Sequence, residues 1–150
     1  VAGCFFLTRR SLIDAVGSLD ETFFFYGEEE EWCFRAKRAG WEIMYFPFAE
    51  IIHIHGASSK MLEMSLSLVG AKARLIVLEK TRGFLTAWLG NLIMTIGMLP
   101  RFPLWFIGDL HKSWQQRDRR ETFSTRLQLA RFHLTALLRP AWRPLSKNDE

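Results

Sequence analysis

The sequence predicts an α/β fold for the first part of the chain and a helical fold for the rest. Three short apolar runs, residues 2–8, 41–46 and 50–55, have the length and composition of β-strands. Beyond them the strand pattern stops, and residue types that favour helices follow. We therefore expect an α/β portion over residues 1–59 and a helical extension over residues 60–150.

Charge divides the chain in the same way. Residues 1–59 carry 5 Lys/Arg and 9 Asp/Glu, net −4, whereas residues 111–150 carry 9 and 4, net +5. Residues 83–110 hold only Arg101 and Asp109. A basic tail indicates an anionic partner, either nucleic acid or a membrane surface. Because no nucleic-acid recognition motif is present and the front is acidic, we expect the membrane surface and no nucleic acid.

The length of the chain and its cysteine content further limit the classes of protein to which it could belong. The 150 residues suit one domain, and two cysteines cannot build a disulfide framework. The chain begins with Val1 and no basic-then-apolar leader follows, so we expect a processed protein or a piece of a longer one. Phosphate-binding glycine loops, dinucleotide fingerprints and C-x-x-C pairs are absent from the sequence.

The first portion contains two predicted helices. Ser11 is expected to cap a short helix that ends before Gly17. Four consecutive aromatic residues then occupy a loop at 23–26, and they must pack against another part of the protein. Residues 28–39 predict a longer helix that begins with four glutamates, which the helix dipole favours, and ends at Gly40.

The helical extension divides into three stretches. Residues 60–81 predict a helix. Residues 83–108 are nearly uncharged and could be a core helix, a membrane span or an interfacial segment. Residues 111–139 predict a basic amphipathic helix. Its expected apolar face comprises Leu127, Ala130, Leu134, Leu137 and Leu138.

Two groups of residues could carry chemistry. The glutamates at 28–31 fit a solvated helix start, but an aromatic wall beside them would favour one carboxylate as a general base. Glu31 and Arg35 form an i,i+4 pair in the favourable orientation. His53 and His55 would point to the same face of a strand, which suits either a divalent metal or two hydrogen-bonded histidines.

Taken in order, these motifs resemble a known family. They are Gly3 with Arg9-Arg10, Val16-Gly17-x-Leu19-Asp20-Glu21-x-Phe23-Phe24, Tyr26-Gly27-Glu28-Glu29, Arg35, Ala39-Gly40-Trp41, Pro47, Ala49, and His53-x-x-Gly56-x-Ser58. The order resembles the second half of the catalytic domain of inverting family-2 glycosyltransferases, which have the A-type, nucleotide-sugar-binding α/β fold. Bacterial rhamnosyltransferase-like members are the most similar. The chain lacks the Asp-x-Asp motif of the first half, so the piece alone is expected to be inactive.

The resemblance implies a role for each site residue. Glu29 would be the catalytic base and Glu28 could share that role, although the family has Glu-Asp-x-Asp where this chain has Glu-Glu-x-Glu. A glutamate is one methylene longer, which moves the carboxylate by about 1 Å. His53 would hold a divalent metal, Mg²⁺ or Mn²⁺, on the donor diphosphate. The expected substrate-binding residues are Gly3, Glu31, Arg35 and His55.

The resemblance also implies partners and a location. The donor would be a nucleotide-diphosphate sugar, and the acceptor a glycan or a lipid-linked glycan of a cell-surface polysaccharide. The basic tail would then lie on the cytoplasmic face of the bacterial inner membrane, peripherally or shallowly inserted. A non-enzymatic membrane-binding module is the alternative that the residues leave open.

Overall fold

The computed structural model describes residues 3–53, 66–101, 103–104, 123–140 and 142. The main helices of these ranges are α1 (Arg10–Val16), α2 (Glu28–Arg38), α3 (Leu66–Arg82), α4 (Phe84–Met98) and α5 (Phe123–Leu138). Helices α1 and α2 pack together, α3, α4 and α5 form a bundle, and α2 also contacts α3. The candidate site lies where α2 meets the bundle.

The first core lies between α1 and α2. Its buried residues are Leu12, Trp32, Cys33 and Ala36. The Trp32 indole nitrogen donates a hydrogen bond to the Gly17 carbonyl at 2.8 Å, which ties α2 to the end of α1. Burial raises the pKa of the Cys33 thiol, as expected for a cysteine that serves as a core residue.

Both ends of α2 follow from its sequence. The four predicted glutamates occupy its first turn. At the other end, Trp41 donates its backbone N–H to Ala36 and Gly40 donates to Lys37, which is the Schellman pattern. The predicted helix and its glycine end are therefore confirmed. The predicted Ser11 cap of α1 is wrong, because the capping position is Arg9, which makes no side-chain cap bond.

The larger core holds the three-helix bundle together. Its buried members are Phe23, Ala73, Leu75, Ile76, Val77, Ala87, Ala136 and Trp142. Helices α3 and α4 form a hairpin through Gly83, whose φ of 89° suits only a residue without a side chain. They pack closely because Ala87 is fully buried and a methyl group at Gly90 would lie 3.0 Å from Leu78.

A buried polar group joins α4 to α5. Asn91 donates to the His133 carbonyl at 3.0 Å, so its amide oxygen is the acceptor for the Nδ1–H of the His133 ring. The Thr95 hydroxyl donates to the Asn91 carbonyl at 2.8 Å. Burial lowers the pKa of His133. The pairing satisfies the Asn91 amide and the Nδ1 atom of His133, both on buried side chains, and joins the two helices.

The two predicted portions of the chain share contacts. Phe23 belongs to the core of the bundle. The Lys80 ammonium lies 2.7 Å from Asp20, so α3 is also joined by charge to the loop before α2. The boundary near residue 59 stays a prediction, but residues on either side of it pack together around the start of α2.

The Asp20–Lys80 contact predicts a pH-dependent stability. Burial raises the pKa of Asp20, but hydrogen bonds from Lys80 and Thr22 and the charge of Lys80 outweigh it, and the pKa falls to about 2. A lowered carboxyl pKa stabilises the fold above the usual value of 3.8, and this contribution is lost as pH falls toward 2. We expect Asp20→Asn to lower stability at pH 7 by about 1 kcal/mol, measured by urea denaturation. The difference from the unmodified protein should shrink near pH 3, and a constant difference would contradict the assignment.

The predicted strands are not formed in the described residues. Residues 3–8, 41–46 and 50–53 carry no strand assignment. Most of their apolar side chains are exposed, as at Leu7 (91%) and Ile52 (97%). A strand needs a neighbouring strand to pair its backbone groups, and no such partner lies beside these segments within the described ranges.

The expected apolar face of α5 is largely wrong. Leu127, Leu134 and Leu138 are exposed. Of the predicted face, Ala130 is buried, at 7% exposed, and the other buried residues of α5 are His133 and Ala136, which are 1% and 0% exposed. Alanines allow two helices to pack closely, and for this reason Ala130 and Ala136 are buried while leucines predicted to be buried are exposed. Residues 105–122, which include the first part of the predicted helix, lie outside the described residues.

The sequence of residues 83–108 is consistent with a core helix, a membrane span or an interfacial segment. Helix α4 occupies 84–98 and packs on α3 and α5. None of the helices in the described part of the chain has the length and hydropathy needed to cross a bilayer.

Candidate functional site

The start of α2 lies at the edge of a cleft. The cleft has a volume of about 810 Å³ and lies between α2 and the bundle. Its charged lining residues are Glu29, Glu30, Arg74 and Arg101. Other side chains that line it include Tyr26, Ser67, Ile93, Met94, Met98, Leu129 and His133. Carboxylates therefore come from α2, and guanidinium groups come from α3 and from the segment after α4.

Two glutamates at this edge have unsatisfied oxygen atoms. One carboxylate oxygen of Glu28 and one of Glu29 are buried from solvent and have no hydrogen-bond partner among the described residues. A buried carboxylate oxygen without a partner is costly, and a catalytic role, an ordered water or ion, or a ligand that supplies a hydrogen-bond donor would account for it. Only Glu29 of this pair lines the cleft. This geometry favours Glu29 over Glu28 as the group that meets a substrate.

The turn before α2 has an unusual backbone. Tyr26 has a φ of 67° and Gly27 a φ of 90°. A positive φ is strained for a tyrosine, and such strain is concentrated at functional sites. Gly27 also fills a tight space, since a methyl group there would lie 3.0 Å from Val77 and 3.1 Å from Phe23. The turn therefore lies close to Val77 of α3, directly before the start of α2 and Glu29.

Gly3 lies beside the predicted base. A methyl group at position 3 would lie 3.6 Å from the Cβ, Cγ and Cδ atoms of Glu29. The structure thus brings together two residues that the resemblance assigns to one site. A larger residue at position 3 would contact the Glu29 side chain and limit its conformations.

Glu31 and Arg35 are not among the cleft-lining residues and form an internal network. Arg35 Nε donates to both carboxylate oxygens of Glu31, at 2.8 and 2.9 Å, which confirms the predicted pair. The other Arg35 nitrogens donate to the carbonyls of Val16 and, at 2.8 Å, of Ser18. Glu31 is 5% exposed. The network anchors α2 to the end of α1, and the substrate-binding role of both residues stays a prediction.

Of the two predicted histidines, the structure describes only His53. His53 is exposed, and His55 lies outside the described residues together with Gly56 and Ser58. Within the described ranges, no three His, Cys, Asp or Glu side chains are grouped so that they could hold a metal ion. The described residues alone therefore do not fit a metal site, and His53 as a ligand stays a prediction.

Sequence reasoning did not identify Arg74, Arg101 or His133 as cleft residues. Arg74 is one of several cations in the helix predicted over residues 60–81, and nothing in the pattern separates it from Lys72 or Lys80. Arg101 is flanked by Pro100 and Pro103, which favour a turn but do not indicate its direction. Their common position depends on how three helices pack, which no local pattern contains.

Two known proteins are similar to part of this chain. Both are N-acetylglucosaminyl-diphospho-decaprenol L-rhamnosyltransferases of Mycobacterium tuberculosis, from strain CDC 1551 / Oshkosh and strain ATCC 25618 / H37Rv. Each is 41% identical over 59 residues, which is 39% of this chain and 19% of the relative. No family profile and no solved structure matches the chain. The chain thus spans about a fifth of the length of these relatives, and the match indicates a relationship to a glycosyltransferase.

Proposed function

We propose that this chain is part of an inverting glycosyltransferase that extends a glycan or lipid-linked acceptor in cell-surface polysaccharide synthesis. The donor is a nucleotide-diphosphate sugar. The observation that carries the proposal is the Glu29 carboxylate, which lines a cleft and has a buried oxygen without a hydrogen-bond partner in the described part. The partial identity with two rhamnosyltransferases supports the same reaction class.

The proposed mechanism is a single displacement. Glu29 accepts the proton of an acceptor hydroxyl while the hydroxyl oxygen attacks the anomeric carbon of the donor sugar. The bond from that carbon to the diphosphate breaks, and the nucleoside diphosphate leaves with the electron pair. Attack from the face opposite the leaving group inverts the anomeric configuration. A divalent cation, Mg²⁺ or Mn²⁺, remains part of the proposal, with His53 as its expected ligand.

The proposed fold is the second half of an A-type domain. Its support is the large exposed apolar surface of the first portion, where Tyr45, Phe48 and Ile52 are 88%, 84% and 97% exposed. Apolar surface of this kind is normally covered by a partner. Strands from the remainder of an A-type domain would cover it and would supply the missing pairing partners for residues 41–46 and 50–53.

A membrane surface is the proposed location. Helix α4 exposes Leu85, Leu89 and Ile96, and α5 exposes Leu134 and Leu138. Exposed apolar side chains on a domain that also carries basic residues suit the interface of an anionic leaflet, which on this proposal is the cytoplasmic leaflet of the bacterial inner membrane. The same observation also favours the second candidate, a membrane-binding module without enzymatic activity.

Transfer by the full-length protein tests the proposal and separates the two candidates. We incubate it with N-acetylglucosaminyl-diphospho-polyprenol and a panel of nucleotide-diphosphate sugars that includes activated L-rhamnose. Mass spectrometry of the lipid should show the addition of one sugar. Co-sedimentation with anionic vesicles without transfer from any donor would favour the membrane-binding module and contradict the enzyme.

A further inference from the structure

Two arginines that line the cleft have no partner among the described residues. Arg74 of α3 and Arg101 both line it and are exposed. Neither forms an ion pair or a hydrogen bond with a residue of the described part of the chain. Arg35 and Lys80, by contrast, have acidic partners at 2.8 and 2.7 Å. Two guanidinium groups therefore belong to the lining of one cleft, and the described residues do not use their hydrogen-bond donors.

The chemistry of two such groups selects a class of anion. A guanidinium presents parallel N–H donors that match two oxygens of a phosphate, and charge-assisted bonds of this type are the strong ones. Two arginines from separate elements of one cleft match an anion with two phosphate groups better than a single carboxylate. Glu29 and Glu30 lie on the α2 side of the same cleft, so the anion is expected at its arginine side.

Part of the remaining wall of the cleft is apolar, although Ser67 and His133 also line it. Ile93, Met94 and Met98 of α4 line it, and Ile93 is 70% exposed. Methionine adapts its shape to flexible apolar chains. The cleft therefore combines an anion-binding side with a wall that suits an alkyl or isoprenoid chain, and a nucleotide has no such chain.

We propose that this cleft binds a lipid diphosphate, with Arg74 and Arg101 on the diphosphate and the α4 wall against the first part of the lipid chain. The inference rests on the proposed function, since it assigns the cleft to a lipid-linked acceptor. The sugar on that diphosphate then lies toward Glu29, which borders the same space. The arginines act as positioning residues and take no part in proton transfer.

Binding can be measured without turnover. We titrate the full-length protein with farnesyl diphosphate at concentrations that do not form micelles and follow binding by calorimetry. Arg74→Gln and Arg101→Gln should each weaken binding about tenfold, because each removes a charge-assisted contact. The control is Arg82→Gln, an exposed arginine of the same helix α3 that does not line the cleft. An equal loss in that control would indicate a general charge effect and overturn the proposal.

Inorganic pyrophosphate and a nucleoside diphosphate serve as two further ligands, which distinguish a lipid diphosphate from other sources of the diphosphate group. Inorganic pyrophosphate should bind more weakly than farnesyl diphosphate and should remain sensitive to both arginines. Ile93→Asn should weaken farnesyl diphosphate binding and leave pyrophosphate binding unchanged. A nucleoside diphosphate that binds at the arginines as tightly as farnesyl diphosphate would assign the cleft to the donor and overturn the proposal. If sugar transfer occurs while both arginine variants bind farnesyl diphosphate normally, the proposed glycosyltransferase activity is retained. The assignment of the cleft to a lipid diphosphate is then wrong.

Discussion

Replacing Glu29 with Gln is expected to reduce sugar transfer by about 10²- to 10⁴-fold, the usual contribution of a general base. The amide keeps the size of the side chain and cannot accept the proton of the acceptor hydroxyl. One carboxylate oxygen of Glu29 already lies buried without a hydrogen-bond partner in the described part. The loss should appear in kcat, with donor binding unchanged, and is measured by initial rates of lipid glycosylation.

The neighbouring glutamates supply the controls for this prediction. Glu30 lines the same cleft but is exposed, so Glu30→Gln should change transfer by less than the Glu29 variant. Glu28→Gln tests whether the second buried oxygen contributes. Glu29→Asp restores the residue of the similar family and should retain transfer, because the carboxylate is kept. Full turnover by Glu29→Gln would exclude this residue as the base and leave Glu28 as the candidate.

Local sequence signals predicted the helices well and the strands poorly. The glutamate run and Gly40 located α2 to within one residue at each end, because helix ends depend on neighbouring residues. Strands depend on partners that are distant in sequence, and residues 41–46 remain exposed and without strand structure. Helix α5 is predicted as a helix, but its buried face is not, because Ala130 and Ala136 are buried while several of its leucines are exposed.

The sequence predicts the acidic residues of the candidate site but not its arginines. Glu29 and Gly3 belong to motifs that can be read along the chain, and the structure places them in contact range. Arg74 and Arg101 enter the cleft only through the packing of α3 and α4 against α2. A pattern that treats each helix by itself contains no information on which exposed arginine faces another element.

The second large effect is expected for Arg35, because its replacement should lower the stability of the fold. Arg35→Ala should lower the free energy of unfolding by about 3 kcal/mol, because removing one partner leaves a buried charge without compensation. Glu31 is 5% exposed and would lose both bonds from Arg35 Nε. The carbonyls of Val16 and Ser18 would lose their donors as well. For a protein of this size the melting temperature should fall by roughly 6–12 °C, measured by circular dichroism.

This experiment also separates a structural role from the substrate-binding role that the resemblance implies for Arg35. Lys37→Ala removes an exposed cation of the same helix and should leave stability unchanged within about 0.5 kcal/mol. Arg35→Lys keeps the charge, but its single nitrogen cannot reach Glu31 and two carbonyls at once, so an intermediate loss is expected. If Arg35→Ala instead leaves the melting temperature unchanged and raises KM for the acceptor, the arginine meets the substrate. Because three of its nitrogens already donate within the protein, we expect stability to fall first, and any loss of transfer to follow from the displacement of α2 and of Glu29 with it.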